Sequence, residues 1–435
     1  MGLTIGITLG TIAILIWIIL ANPVLKFGRY HVRLIYWFAP VLGAILLFLC
    51  GKISFPEALA GLTSAGSMNP IKILILFISM TTLSIFLDEA GMFSYLASRA
   101  MALAGSSQKK LFLCLYLVVS VLTVFTSNDI IILTFTPFIC YFSKNAQIDP
   151  MPYLIGEFVA ANTWSMALII GNPTNIYLAT SAGISFGDYT ATMIIPTVMS
   201  GTVAFAILFL IFRKKLSQPM SGSAVAEKIK NKGFIIIGVI HLAACTILLV
   251  LSSYIGFEMW YITLGFAVSL FACVLIYQKV KRNREHLLLH TIVRAPWELI
   301  PFVISMFLIV LALNKSGVTM LIADVLGNDF AIWKYGASSF VCANLINNIP
   351  MSVLFSDIAG VKEGILRMQA LYASVIGSNL GAYFTPIGAL AGIMWSGILG
   401  KMGISFSFKK YVSLGVRVAI PALAAALLGL MLVML

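Results

Sequence analysis

The sequence predicts an all-α polytopic membrane protein. It is expected to hold two inverted repeats, about 10 transmembrane helices, two re-entrant hairpins and two broken helices. Three observations predict it. The first is composition: 60% of the 435 residues are hydrophobic and only 10% are charged, where a soluble domain has roughly 25% charged. The second is the placement of basic residues, which falls on one side of a consistent threading. The third is a pair of sequence blocks that recur in the same order. The short alternating segments of an outer-membrane barrel are absent.

Several apolar runs reach the roughly 20 residues that cross a bilayer. Full spans are expected at about 3–21, 34–50, 70–88, 152–178, 190–212, 234–252, 260–277, 297–314, 370–398 and 412–434. The first run, Leu3 to Leu20, has no basic residue before it and Lys26, Arg29 and Arg33 after it. That is wrong for a cleaved signal peptide and right for a span that enters with its N-terminus outside. Two apolar regions are too long for one span and too short for two. Residues 111–143 carry Ser127-Asn128-Asp129 at their middle, and residues 335–359 carry Asn347-Asn348. Both read as re-entrant hairpins.

This threading places loops 22–33, 213–233 and 278–296, the ends of the first hairpin and segment 399–411 on one side, with 21 of the 28 Lys+Arg. The basic side is cytoplasmic by the positive-inside rule, and both termini face outside. The net charge of +13 is thereby spent on orientation in the lipid bilayer, and no nucleic-acid partner is implied.

The segment 76–105 resembles 302–327: Ser79-Met80 aligns with Ser305-Met306 and Gly91 with Gly317, at an offset of 226. Residues 182–196 resemble 402–421, with Ser185 on Ser405 at an offset of 220. The order of parts also matches: span, hairpin, broken span, span. The third span runs inward and the eighth outward, so the repeats are inverted, as in many secondary transporters. The expected organisation is 1–33, an extra N-terminal span and cytoplasmic loop; 34–212, the first repeat; 213–259, a cytoplasmic linker and connecting span; and 260–435, the second repeat.

The broken spans mark the centre. Gly171-Asn172-Pro173-Thr174-Asn175 interrupts one span, and Thr385-Pro386 with Gly388 interrupts the other. Proline removes a helix hydrogen bond and clashes with the preceding turn, and non-helical backbone at membrane depth survives only where it is buried or lines a wet cavity. Opened helices offer N–H groups to an anion and carbonyls to a cation. Asn supplies both a donor and an acceptor without a fixed charge. The expected substrate- or ion-binding residues are Ser127, Asn128 and Asp129 at the first tip and Asn347 and Asn348 at the second. Asn162, Thr163, Asn172, Thr174 and Asn175 are expected from the first broken span, and Ser378, Asn379 and Thr385 from the second. Gly171, Pro173, Pro386 and Gly388 are the expected helix breaks. Asp129 is the one acid at a predicted tip, and an ionisable group at that depth is costly and functional by default. It is the expected coupling residue, for a proton or for sodium.

These residues resemble the ion transporter superfamily, which includes arsenite/antimonite permeases of the ArsB type, sodium/proton antiporters of the NhaD type and divalent anion/sodium symporters. "SNDIIILTFTP", "NNIP" and "GSNLGAYFTPIGALAGIMW" followed by "ISFSFKKY" are most similar to the ArsB type, from about residue 34 to the C-terminus. "GNPTN" looks closer to the antiporter and symporter branches. The resemblance implies a substrate site between the hairpin tips and the broken spans. It implies export of arsenite, antimonite or a related small oxyanion, coupled to protons, by alternating access. The alternative is a sodium-linked transporter, either a sodium/proton antiporter or a sodium-carboxylate symporter. A homodimer is among the expected assemblies.

Other polar residues have plainer readings. The six cysteines lie scattered in apolar segments without a C-x-x-C pair and read as small hydrophobic filler, so a three-thiol arsenic site is not expected. His286 and His290 are four apart but lack a third ligand nearby, and no metal or cofactor is expected. Asp88-Glu89 reads as solvated charge at a helix end, Glu298 as interfacial, and Arg417 as a snorkelling side chain. No H-E-x-x-H, G-x-S-x-G or nucleotide-binding glycine motif is present, which argues against an enzyme. A channel would instead show flux that neither saturates nor needs a counter-ion.

Overall fold

Backbone groups in hydrocarbon must bond internally, and the chain meets that demand with helices. The computed structural model describes every residue except 22, 28–29, 64–68, 221–228, 230, 284, 387, 405 and 435. Helix α1 (Gly2–Ala21) leads into two short antiparallel strands, β1 (Val24–Phe27) and β2 (Tyr30–Arg33), paired with Val24 opposite Arg33. This ribbon, rich in β-branched and aromatic residues, is the departure from an all-helical chain. Helix α2 (Phe38–Leu49) and α3 (Phe55–Leu62) follow. The span expected over 34–50 is thus a helix of 12 residues, about 18 Å long, because the ribbon and a turn take up the residues before it.

The first half continues with α4 (Pro70–Glu89), α5 (Met92–Ala104), the helical hairpin α6 (Gln108–Phe125) and α7 (Asn128–Asn145), the interrupted pair α8 (Met151–Trp164) and α9 (Pro173–Ser181), and α10 (Phe186–Leu216). Then come α11 (Lys232–Ile255), α12 (Met259–Lys281) and the short α13 (Leu287–Arg294). The second half runs through α14 (Leu299–Lys315), α15 (Val318–Leu326), the hairpin α16 (Ala331–Ile346) and α17 (Asn348–Gly360), the interrupted pair α18 (Gly364–Gly381) and α19 (Leu390–Lys401), and α20 (Phe408–Met434).

The two halves therefore pass through the same order of elements. The turns match in detail. Gly91 before α5 and Gly317 before α15 both adopt the left-handed conformation, at φ 83 and φ 79. A reversal that tight between two helices suits only a residue without Cβ. Gly105 and Gly327 close the same two helices at φ 59 and φ 65. The aligned serines cannot be compared in the same way, since Ser405 lies outside the described residues.

Among the described residues, eight helical stretches are long and apolar enough to cross a membrane, and the protein is a multi-pass membrane protein. One of the eight, Leu287–Lys315, is α13 and α14 divided around Pro296. The periphery is apolar: Ile236, Ile240 and Ile247 of α11 and Val268, Leu275 and Ile276 of α12 are exposed. In contrast, α8 and α9 are buried along almost their whole length, and they form the centre. Ion pairs join residues that the threading puts at the same end. Lys72 meets Glu258 at 2.7 Å and Lys315 meets Glu57 at 2.6 Å at the outer end. Lys215 meets Asp149, and Arg294 meets Asp88 at 2.7 Å, at the basic end.

Candidate functional site

The first interruption begins earlier than the proline suggests. Helix α8 ends at Trp164, and two 3₁₀ turns, Ser165–Ala167 and Ile169–Gly171, follow it. Leu168 and Asn172 are extended, with φ −122 and φ −153. Pro173 then starts α9, where its missing N–H is no loss. Asn172 caps α9 by accepting from the Thr174 N–H at 3.2 Å. Gly171 is required by close approach, since a Cβ there would run into the Ser165 carbonyl. In the second interruption α18 stops at Gly381 and α19 resumes at Leu390. A Cβ at Gly388 would collide with the Gly381 carbonyl. Pro386 lies inside this loop and is half-buried.

The two interrupted pairs meet. Asn379 of α18 is the hub. Its Oδ1 accepts from Ser165 Oγ at 2.9 Å and from Asn172 Nδ2 at 3.0 Å, and its Nδ2 donates to Asn175 Oδ1 at 2.7 Å and to the Val375 carbonyl at 2.8 Å. Asn175 Nδ2 donates onward to the Ser165 carbonyl at 2.8 Å. All four side chains are buried. The first hairpin tip joins this centre through Asn128 Nδ2, which donates to Asn162 Oδ1 at 3.0 Å. The second tip joins through the Asn348 N–H, which donates to the Gly388 carbonyl at 3.1 Å. Packing is crossed: α7 lies against α8 and α19, and α17 lies against α18 and α9.

Five oxygens on or beside this network are buried and make no hydrogen bond among the described residues: Ser127 Oγ, Asn128 Oδ1, Thr174 Oγ1, Asn348 Oδ1 and Ser378 Oγ. Buried polar atoms are normally satisfied, and these five stand on the hairpin tips and interrupted pairs that the hydrogen bonds above connect. Asn128, Thr174 and Asn348 stand in the first turns of α7, α9 and α17, and helix N-termini carry partial positive charge.

Other expected residues take separate places. Thr163 donates to the Tyr383 hydroxyl at 3.3 Å. Thr385 donates to Asn344 Oδ1 from its N–H at 3.1 Å and from its hydroxyl at 2.7 Å. Asn347 starts α17 at φ 74 and accepts from the Ile349 N–H. Asp129 is half-buried and faces a cavity of about 420 Å³, which Tyr36, Thr81, Arg294, Glu298 and Met394 also line. This cavity lies on the side of the basic loops.

Sequence reasoning passed over Ser165, Asn344, Tyr383 and Glu157. Ser165 belongs to the same polar run as Asn162-Thr163, and Asn344 stands three residues before Asn347, so spacing could have found both. Tyr383 gave no signal. Glu157 is a lone acid in an apolar run, which was signal enough. Asp88 and Glu89, read from sequence as solvated, are instead clamped by Arg294 at 2.7 Å and 2.5 Å. Glu298 does stand exposed, at the edge of the Asp129 cavity. Arg417 folds back on Ser413 at 2.8 Å, as a snorkelling side chain does.

The family match and the arsenical pump relatives agree with a transporter. A family model described as a citrate transporter matches residues 12–361. An arsenical pump membrane protein of Escherichia coli (strain K12) is 26% identical over 374 residues, covering 81% of this chain and 84% of its own length. A 46 kDa membrane protein of Mycobacterium leprae is 25% identical over 375 residues, covering 82% and 84%. The crystal structure of the YdaH transporter of Alcanivorax borkumensis aligns with a TM-score of 0.48 at 13% identity, covering 99% of this chain and 97% of that one.

Proposed function

The chain belongs to the citrate transporter family, and from that premise we propose that this secondary transporter exports a small oxyacid of the arsenite or antimonite kind, coupled to protons, by alternating access. The observation that carries this reading is the uncharged centre: five unpartnered oxygens held between two hairpin tips and two interrupted helices. Arsenous acid is a neutral trihydroxide near neutral pH. Its hydroxyls would donate to Asn128 Oδ1 and Asn348 Oδ1, while Ser127, Thr174 and Ser378 can donate or accept. A tricarboxylate would bring several negative charges to a centre whose network contains no Lys or Arg among the described residues. The cysteines are free and scattered between exposed and buried positions, so soft thiolate ligation of arsenic has no support. Relatives named arsenical pumps agree with the choice.

The three helix N-termini favour a second reading, sodium-linked carboxylate transport, because they would stabilise an anion without side-chain cations. Flux into proteoliposomes separates the two, with arsenite, sodium and citrate compared under imposed pH and sodium gradients. Saturable arsenite flux driven by the pH gradient supports the first reading; sodium-dependent citrate uptake alone defeats it.

Re-entrant tips and inverted repeats are part of the same proposal, supported by the matching order of elements and the paired glycines. They require the first hairpin to open to the cytoplasm and the second to the outside. Single cysteines at Lys144 and Lys362, in a background without native cysteines, are expected to react with an impermeant thiol reagent from opposite sides. Reaction from one side would rule out the inversion.

A further inference from the structure

Glu157 lies on α8, 2% exposed, and is not among the residues that line the cavity holding Asp129. The Thr136 hydroxyl of α7 lies 3.1 Å from each of its carboxyl oxygens. Trp395 of α19 stands beside the carboxyl, and its buried indole N–H makes no hydrogen bond among the described residues. The titratable neighbours are the Cys140 thiol on α7 and the Tyr411 hydroxyl on α20. Tyr411 packs on Trp395 and Phe158 and donates to the Ala382 carbonyl. From α6, Phe112 presses on Gly156. Among the described residues no Lys, Arg or His pairs with Glu157.

A hard cation such as sodium would need several oxygen ligands. Here one hydroxyl accompanies a thiol, an indole and phenyl rings, so a metal ion has no cage. A proton needs none. The protonated carboxyl can accept from Thr136, and the ionised form can accept from both Thr136 and Trp395. Ionisation would therefore draw α19 toward α7 and α8. The same two helices, α7 and α19, supply Asp129, Leu133, Ile393 and Met394 to the wall of the neighbouring cavity.

We propose that Glu157 is a second proton-carrying site, whose loss and gain of a proton changes how α7, α8 and α19 are held together. The proton leaves the carboxyl to water as hydronium, leaving a carboxylate, and returns by the reverse step. The proposal rests on the proton-coupled reading above for its use in transport, but its test does not.

The full-length protein in lipid nanodiscs is examined by infrared difference spectroscopy as pH is raised. The C=O stretch of a protonated carboxyl is expected to disappear with alkali in the wild type. That band should be lost in Glu157→Gln, retained in Asp129→Asn, and shifted in Thr136→Val, which removes the hydroxyl donor. Should Glu157→Gln fail to fold, the Thr136→Val shift decides alone. A band that does not titrate, that survives in Glu157→Gln, or that is unmoved in Thr136→Val overturns the proposal. A titrating Glu157 band in a protein that moves no arsenite would leave this site standing and defeat the transport reading instead.

Discussion

Asn379→Ala is expected to abolish transport and to destabilise the protein together. The substitution removes the acceptor of Asn172 Nδ2 and the donor to Asn175 Oδ1, both on buried side chains. Ser165 keeps its bond to the Asn162 carbonyl at 3.0 Å, so two groups are orphaned. Each buried unsatisfied group costs about 1–3 kcal/mol, so the loss is about 2–6 kcal/mol. Thermal unfolding in detergent should show Tm falling by several degrees, and proteoliposomes should show no saturable flux. Wild-type Tm with full flux would mean that the clasp between the two interrupted pairs is dispensable.

Asp129→Asn tests the coupling. Asp129 faces a cavity on the basic side with Arg294 and Glu298, where it can exchange a proton or meet an incoming cation. The substitution keeps the shape and removes the charge, so folding and membrane insertion should survive. If protons couple, wild-type flux follows pH and the variant does not; if sodium couples, the variant loses sodium stimulation. An intramembrane ionisable group is functional by default, so gradient-driven flux should fall by at least about tenfold, roughly 1.4 kcal/mol. Flux with unchanged ion dependence would remove Asp129 from the coupling role.

What the sequence revealed follows from the kind of signal involved. Long apolar runs and basic loops are one-dimensional, and the helices fall where they lead. The polar tips and GNPTN were legible because Asn and Ser are conspicuous in apolar surroundings. Partnership was not legible: Asn379 reaches Asn172 across a separation of 207 residues, and no local pattern encodes it. The prolines misdirected in detail. Pro173 begins a helix, while the interruption before it is shaped by Gly171 against the Ser165 carbonyl, a steric fact visible only in three dimensions. Glu157 was overlooked for a different reason. Glu157 stands alone in its stretch of sequence, while its partners come from α7 and α19.

The clasp between Asn175 and Asn379 spans 204 residues, and this has a consequence for how the protein is made. Chains grow at about 5–20 residues per second, so the second partner emerges about 10–40 s after the first. During that interval the first interrupted pair is already available to the membrane with its amides lacking their final partner. Lipid headgroups, water or a chaperone must meet those groups until α18 arrives. The clasp between the two interrupted pairs is therefore among the last parts of the molecule to be completed, and a chain cut short before residue 379 retains its first half without it.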